Sequence, residues 1–187
     1  MGIATAEENL YHKFRAKKGL LEVGEQMKLA TLCYLRADGN TLMLYRNKKK
    51  DDVHLGKWNG LGGKFHDGET PEACAKREIL EECGLVAISL DLKGIITFPC
   101  FAKGEDWYVF VFVVTEFHGS LIESVEGDLK WIPDREILNL PLWEGDKHFI
   151  PWLSKPGFFS ARFNYEQGRL ASHDVFFYPN THQSSRR

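Results

Sequence analysis

The sequence predicts an α+β fold built around one sheet. Three observations carry that prediction: apolar segments on either side of Asp38-Gly39, a sharply delimited helix between Thr70 and Gly84, and a near-continuous apolar run from Trp107 to Phe117. Asp-Gly between two β-forming runs is a hairpin signal. The helix has a capping residue and a proline at one end and a glycine at the other. The run WYVFVFVVTEF is too uniformly apolar to leave one face wet, so it reads as a strand buried on both sides. A chain of 187 residues is long enough for one domain with a proper core and too short for two.

Residues 1–26 are polar, with a weak helical pattern in Leu10, Phe14 and Leu20-Leu21. Met27 stands directly before the first clear strand and reads as the start of the folded domain and a natural initiator. The expected organisation is an extension over 1–26 (disordered or non-native), a domain over 27–178, and a disordered tail over 179–187. The alternative for the extension is a short helix packed on the domain. Lys28–Arg36 and Thr41–Arg46 form the first hairpin. The following Lys48-Lys49-Lys50 has two readings, a solvated loop or an attractor for a triphosphate. Between His54 and Lys64, four glycines within eight residues mark backbone that must bend and approach something closely. Trp58 there reads as a core anchor. The amide of Asn59, with a donor and an acceptor side by side, suits a base edge.

In the helix, Thr70 is the N-cap, Pro71 the first helical residue, and Glu72 complements the positive end of the dipole. Gly84 is placed to stop it in a left-handed conformation. Glu78, Glu81 and Glu82 stand at i, i+3 and i+4 and share one face. Like charges so placed repel one another. The face is either a solvated stripe partly paired with Arg77 or a seat for a cation. All-carboxylate donors would select a hard ion, Mg²⁺ or Mn²⁺, which shares its shell with water and phosphate.

Leu92–Phe98 is the next strand, followed by the Trp107–Phe117 strand. Glu123 and Glu126 lie in a polar loop before Leu129–Ile132. Pro133–Leu140 reads as a short helix, and Asp146 as the N-cap of a helix running to about Leu153. Phe158–Tyr165 and Arg169–Tyr178 alternate around Gln167-Gly168 as a closing hairpin.

A net charge of −2 leaves no basic field for a nucleic-acid polymer. Cys33, Cys74, Cys83 and Cys100 show no metal-binding spacing and read as reduced thiols in or near the core of a cytoplasmic protein. No apolar run is long enough to span a bilayer, and nothing at the N-terminus has the layout expected of a secretory signal.

The stretch Gly63–Leu85 fits the pattern G-x5-E-x7-R-E-U-x-E-E-x-G-U at all nine fixed positions, U being aliphatic. It resembles the Nudix box. The resemblance implies the Nudix fold, a mixed central β-sheet sandwiched between α-helices (α/β/α), and Mg²⁺-dependent cleavage of a nucleoside diphosphate linked to another moiety. It assigns Glu78, Glu81 and Glu82 as metal ligands or base, Gly62 as a backbone neighbour of the ion, and Arg77, Glu69 and Gly63 as organisers of the loop-helix geometry. A downstream glutamate such as Glu126 often completes the metal site or acts as base in that family; a surface-loop role is the other reading.

The segments KWNGLGGKFHDGET, ITFP, SVEGDLKWI and PLWEGDKHFIPWL extend the likeness to the MutT-type branch acting on oxidised purine nucleoside triphosphates. That implies base contacts from Asn59, Trp143 and Asp146, with Phe98 as a wall and Lys64 as a further substrate contact. Trp143 as core and Asp146 as a helix cap stand beside these roles. Gly145-Asp146 replaces a pair of adjacent aspartates, so the manner of base reading departs from the vertebrate pattern. The expected activity is hydrolysis of substrates such as 8-oxo-dGTP to monophosphate and pyrophosphate by a cytoplasmic monomer or homodimer, with no nucleic-acid polymer or membrane as partner. ADP-ribose or a dinucleoside polyphosphate as substrate, or a non-catalytic nucleotide-binding module, are the alternatives.

Overall fold

The computed structural model describes residues 27–179. The expectations for 1–26 and for the end of the tail lie outside the described residues. Two antiparallel strands, β1 (Lys28–Ala37) and β2 (Asn40–Arg46), form the hairpin expected around Asp38-Gly39. A two-residue strand, β3 (Trp58–Asn59), pairs with the end of β2. Helix α1 (Pro71–Cys83) follows, then β4 (Leu85–Ala102), β5 (Glu105–Gly119) and β6 (Gly127–Pro133). A 3₁₀ turn (Asp134–Asn139), the short helix α2 (Glu144–Phe149) and a second 3₁₀ turn (Ile150–Ser154) lead to the closing hairpin, β7 (Phe158–Glu166) and β8 (Arg169–Tyr178).

The sheet runs β3-β2-β1-β5-β4-β7-β8, with β6 antiparallel on the other edge of β2. It is mixed, because β1 is parallel to β5 and β4 is parallel to β7. Each face carries its own core. Tyr34, Val109, Val111, Val113, Phe149 and Phe163 pack on the α2 side. Cys33, Leu35, Ile79, Phe112 and Val114 pack on the α1 side. The alternation of Val111, Phe112, Val113 and Val114 between the two clusters explains the uninterrupted apolar run of β5, since both of its faces are covered.

Several elements differ from expectation for local reasons. β4 starts at Leu85, because the left-handed Gly84 (φ 76°) turns the chain directly from helix into strand. Its register shifts against β5 at several points, including between Phe98 and Ala102. The segment after Pro133 winds as a 3₁₀ turn. Helix α2 begins two residues before Asp146, with Trp143 at the N-cap position and no side-chain cap. Asp146 is therefore not the N-cap but lies buried in the first turn. Cys33, Cys74 and Cys83 are buried and Cys100 is exposed; none is in a disulfide.

Candidate active site

The glycine segment after β3 is stitched to the free edge of β1. Leu61 and Cys33 exchange backbone hydrogen bonds, Thr31 N–H donates to Gly63 O at 2.9 Å, and Phe65 N–H donates to Leu29 O at 3.1 Å. Gly62 has φ 136°, and a Cβ there would stand 2.3 Å from Thr31 O. This close approach excludes any side chain. A Cβ on Gly63 would instead lie 2.5 Å from the Glu78 carboxylate. The segment is thus bare backbone against the acidic face of α1.

Helix α1 is capped as its sequence predicts: Ala73 N–H donates to Thr70 Oγ1 at 3.2 Å, and Gly84 N–H bonds back to Leu80 O. Its three glutamates occupy different environments. Glu82 is only 6% exposed, and its Oε2 accepts from Gly62 N–H at 2.7 Å. Glu78 is held by Arg77 Nη1 at 2.7 Å. Glu81 is turned outward, 3.2 Å from the same guanidinium. Arg77 also grips both oxygens of Glu69, at 2.7 and 2.8 Å, and donates to Lys64 O at 3.0 Å. That fork holds the Glu69 carboxyl down at about 2 and ties both ends of the glycine-to-helix loop to one side chain.

Glu126, at the end of the loop before β6, comes in against Glu82. Burial first, then the Glu126 and Glu78 charges, push the Glu82 carboxyl up to about 8 against the opposing bond from Gly62. Burial works to raise Glu126 as well, but Lys49, Arg46 and Glu82 hold it below the usual carboxylate range. Each carboxylate thus acts on the other, Glu126 raising Glu82 and Glu82 lowering Glu126. Arg46, the last residue of β2, bonds Glu126 and stands 3.7 Å from Glu82 Oε1. Lys49 bonds Glu126, and Lys48 donates to Ser124 O at 2.8 Å. Two of the three lysines thus fold back onto the acidic loop. An open groove of about 520 Å³ beside them is lined by Arg46, Lys49, Lys50, Asp51 and Asp52.

The opposite flank is aromatic. Trp143 meets Phe101 edge-on at 5.3 Å between centroids and Tyr165 at 5.6 Å; Phe98 lies 5.4 Å from Phe101. Trp143 Nε1–H donates to His54 Nδ1 at 2.9 Å. Burial first holds His54 down at about 4, so at neutral pH Nδ1 is free to accept and the ring proton sits on Nε2. Lys57 lies over the Trp143 ring at 5.4 Å. Asp146 is buried beneath this group, and burial lifts its carboxyl to about 7 against a backbone bond from Trp143 and the Lys57 charge. The Tyr165 hydroxyl accepts from Gly145 N–H at 2.7 Å. The buried Tyr34 hydroxyl has no hydrogen-bond partner among the described residues, and Asp146 adds to the burial that raises it.

The NUDIX domain model matches residues 27–153. The chain belongs to the Nudix family. It is 36% identical over 118 residues to the oxidized purine nucleoside triphosphate hydrolase of Mus musculus, covering 63% of this chain and 76% of that one. It is 33% identical to the Danio rerio protein of the same name, over 79% of this chain and 90% of that one. A solved structure described as a mutator MutT protein from Bacillus halodurans superposes with a TM-score of 0.70 at 30% identity, over 79% of this chain and 97% of that one.

For a Nudix hydrolase the expected residues fall into two groups. Glu78, Glu82 and Glu126 converge with Gly62 and Gly63; Glu81, at 57% side-chain exposure, is on the rim. Nudix hydrolases generally need a divalent metal. Glu82 is buried against Glu126, whose carboxylate Arg46 and Lys49 hold from the other side, and the all-oxygen donor set suits a hard ion. Among the described residues, no three such side chains already stand in coordinating positions. Asn59 sits on β3 beside Lys57, and Trp58 packs on Tyr45 at 5.1 Å and against the α2-side core. Lys64 is exposed, its ammonium 5.2 Å from the Trp107 ring, whose strand partner is Phe98.

Sequence reasoning missed Arg46, Asp52, His54, Phe101 and Tyr165. For Tyr165 a signal existed, since its spacing of two from Phe163 marks the same strand face. For Phe101 the register shift in β4 removes that parity. The partners of Arg46 in Glu126 and of His54 in Trp143 are set by tertiary contacts, whereas Asp52 bonds to Arg46 and His54 close by in the chain.

Proposed function

We propose that this Nudix hydrolase is a Mg²⁺-dependent pyrophosphohydrolase of oxidised purine nucleoside triphosphates such as 8-oxo-dGTP, releasing the monophosphate and pyrophosphate. It works on the free nucleotide pool of the cytoplasm, as a monomer or homodimer. The observation that carries the reading is the pairing of two unlike flanks across one loop. One is the buried Glu82 carboxylate facing Glu126, with Arg46 and Lys49 on the outer side of the pair; the other is the aromatic cluster around Trp143 with the buried Asp146 beside it.

Glu82, Glu78 and Glu126 would hold the ion, with Glu81 joining from the rim. Bound there, Mg²⁺ supplies charge neutralisation of the phosphates and lowers the pKa of water. Arg77 fixes Glu78 and the loop, while Gly62 lets the backbone lie against β1 and Gly63 lets the Glu78 carboxylate close on it. Water attacks the β-phosphorus in line, Glu78 or Glu126 takes its proton, and the nucleoside monophosphate leaves. On the other flank Trp143 stacks on the base, with Phe98 as a wall. Asn59 and Asp146 meet the polar edge, and Lys64 lies near the rim. With its carboxyl raised to about 7, Asp146 can donate to a purine carbonyl oxygen.

The test is steady-state kinetics with oxidised and normal purine triphosphates, ADP-ribose and a dinucleoside polyphosphate, each with Mg²⁺ and with EDTA. Pyrophosphate release with kcat/KM highest for the oxidised purines is expected. Turnover of ADP-ribose without release of pyrophosphate from triphosphates would overturn the reading.

A further inference from the structure

One side chain touches both flanks of the site and belongs to neither. Asp52 lies in the loop between β2 and β3, and its side chain is 7% exposed. Its Oδ2 accepts from Arg46 Nε at 2.6 Å. The same guanidinium bonds Glu126 through Nη1 and stands 3.7 Å from Glu82. Its Oδ1 accepts from His54 N–H at 2.9 Å, closing an Asx turn that aims the imidazole at Trp143 Nε1. An unbroken polar chain therefore runs from Trp143 through His54, Asp52 and Arg46 to the Glu82–Glu126 pair.

The geometry points to Asp52 as the positioning residue that holds the base wall and the catalytic carboxylates in register. This inference rests on the proposed assignment of the aromatic flank to the base. Asp52 touches neither base nor phosphate. One of its oxygens sets the orientation of Arg46 and the other sets the backbone turn that presents His54. Burial tends to raise its carboxyl, but the His54 N–H and Arg46 bonds outweigh it and keep it ionised below the usual range, so both acceptor oxygens are available.

Because the two arms use different atoms, they separate by substitution. Asp52→Asn keeps an oxygen for His54 N–H and loses the ion pair with Arg46. His54→Phe keeps a ring against Phe101 and loses the acceptor for Trp143. Asp52→Ala loses both arms. We expect Asp52→Asn to act mainly on kcat, and His54→Phe mainly on KM and on the ratio of oxidised to normal purine turnover. Each shift should be roughly 5- to 10-fold, the scale of one removed hydrogen bond. Asp52→Ala should carry both losses, and His54→Asn, which restores an acceptor near the Nδ1 position, should recover the ratio. The indole N–H proton resonance of Trp143, assigned through Trp143→Phe and recorded in EDTA, should move upfield in Asp52→Ala and His54→Phe and stay in place in Asp52→Asn. A resonance unmoved in Asp52→Ala, or equal losses in Asp52→Asn and Asp52→Ala with the ratio intact in both, would overturn the inference. If wild-type enzyme shows no preference among the purines, the assignment of the pocket fails; the resonance experiment still reports on Asp52 without it.

Discussion

Replacing Glu82 by Gln separates catalysis from stability in opposite directions. The glutamine keeps the shape and leaves an oxygen to accept from Gly62 N–H, but it removes the charge at the most buried member of the acidic face. Loss of the proposed principal ligand is expected to lower kcat by at least ~100-fold, about 3 kcal/mol of transition-state stabilisation. Stability should respond the other way. Glu82 titrates near 8 in the fold and near 4.5 in the unfolded chain. Below 4.5 both states hold the proton, and the contribution is fully present. As pH rises through the interval to 8 the unfolded chain releases its proton first, so metal-free stability falls. At ~1.4 kcal/mol per pH unit the loss reaches several kcal/mol at most, on an order-of-magnitude scale. The variant has no proton to lose. In EDTA at pH 8 to 9 its Tm should equal or exceed that of wild type, while near pH 4.5 the gap should close. Calorimetric melts across pH, beside kcat with Mg²⁺, test both halves. A variant that retains activity, or one that melts below wild type at pH 8 to 9 in EDTA, would refute this account of the acidic face.

Three further outcomes follow from the same geometry. Asp146 lies near 7 in the fold, above its unfolded value, so its neutral form is present below that pH and is lost as pH rises through it. The preference for oxidised over normal dGTP should therefore decline above pH 7 in wild type and show no such step in Asp146→Asn, measured as a ratio of kcat/KM values. Gly63→Ala should displace the flexible Glu78 carboxylate, leaving Tm nearly intact while kcat drops ~10-fold or more; Gly62→Ala should fail in the melt itself, because its φ of 136° and the Thr31 carbonyl leave no room. Arg77→Lys keeps one charge but cannot span Glu69, Glu78 and Lys64 O together, so kcat should fall ~10- to 100-fold with a smaller change in KM, read from the same kinetics.

What the sequence made legible was local. Thr70, Pro71 and Gly84 delimit α1 because capping chemistry acts within one turn, and the spacing of Glu78, Glu81 and Glu82 places them on one face before any tertiary contact is known. β5 could be read as doubly buried because its composition reflects both neighbours. What could not be read depends on residues distant in sequence. Arg46 and Glu126 are 80 positions apart, and His54 and Trp143 are 89 apart. The different burial of Glu82 and Glu81, adjacent on one helix, depends on which of them faces Gly62. Asp146 was misread as a cap because α2 starts at Glu144, where Trp143 is held by packing and offers no side-chain signal.

The stitching of the Leu61–Phe65 segment to β1 has a consequence for motion. This backbone is in effect an added strand beside β1, which is paired in parallel with β5 on its other side. It is held more firmly than an ordinary surface loop, since freeing it breaks four backbone hydrogen bonds to a central strand. Amides of Leu61 and Phe65 should accordingly exchange with deuterium as slowly as those of β5, and far more slowly than those between Lys48 and Val53. If phosphates dock there as proposed, they would meet a floor that keeps its shape between turnovers, and adaptation to different bases would fall to the aromatic wall.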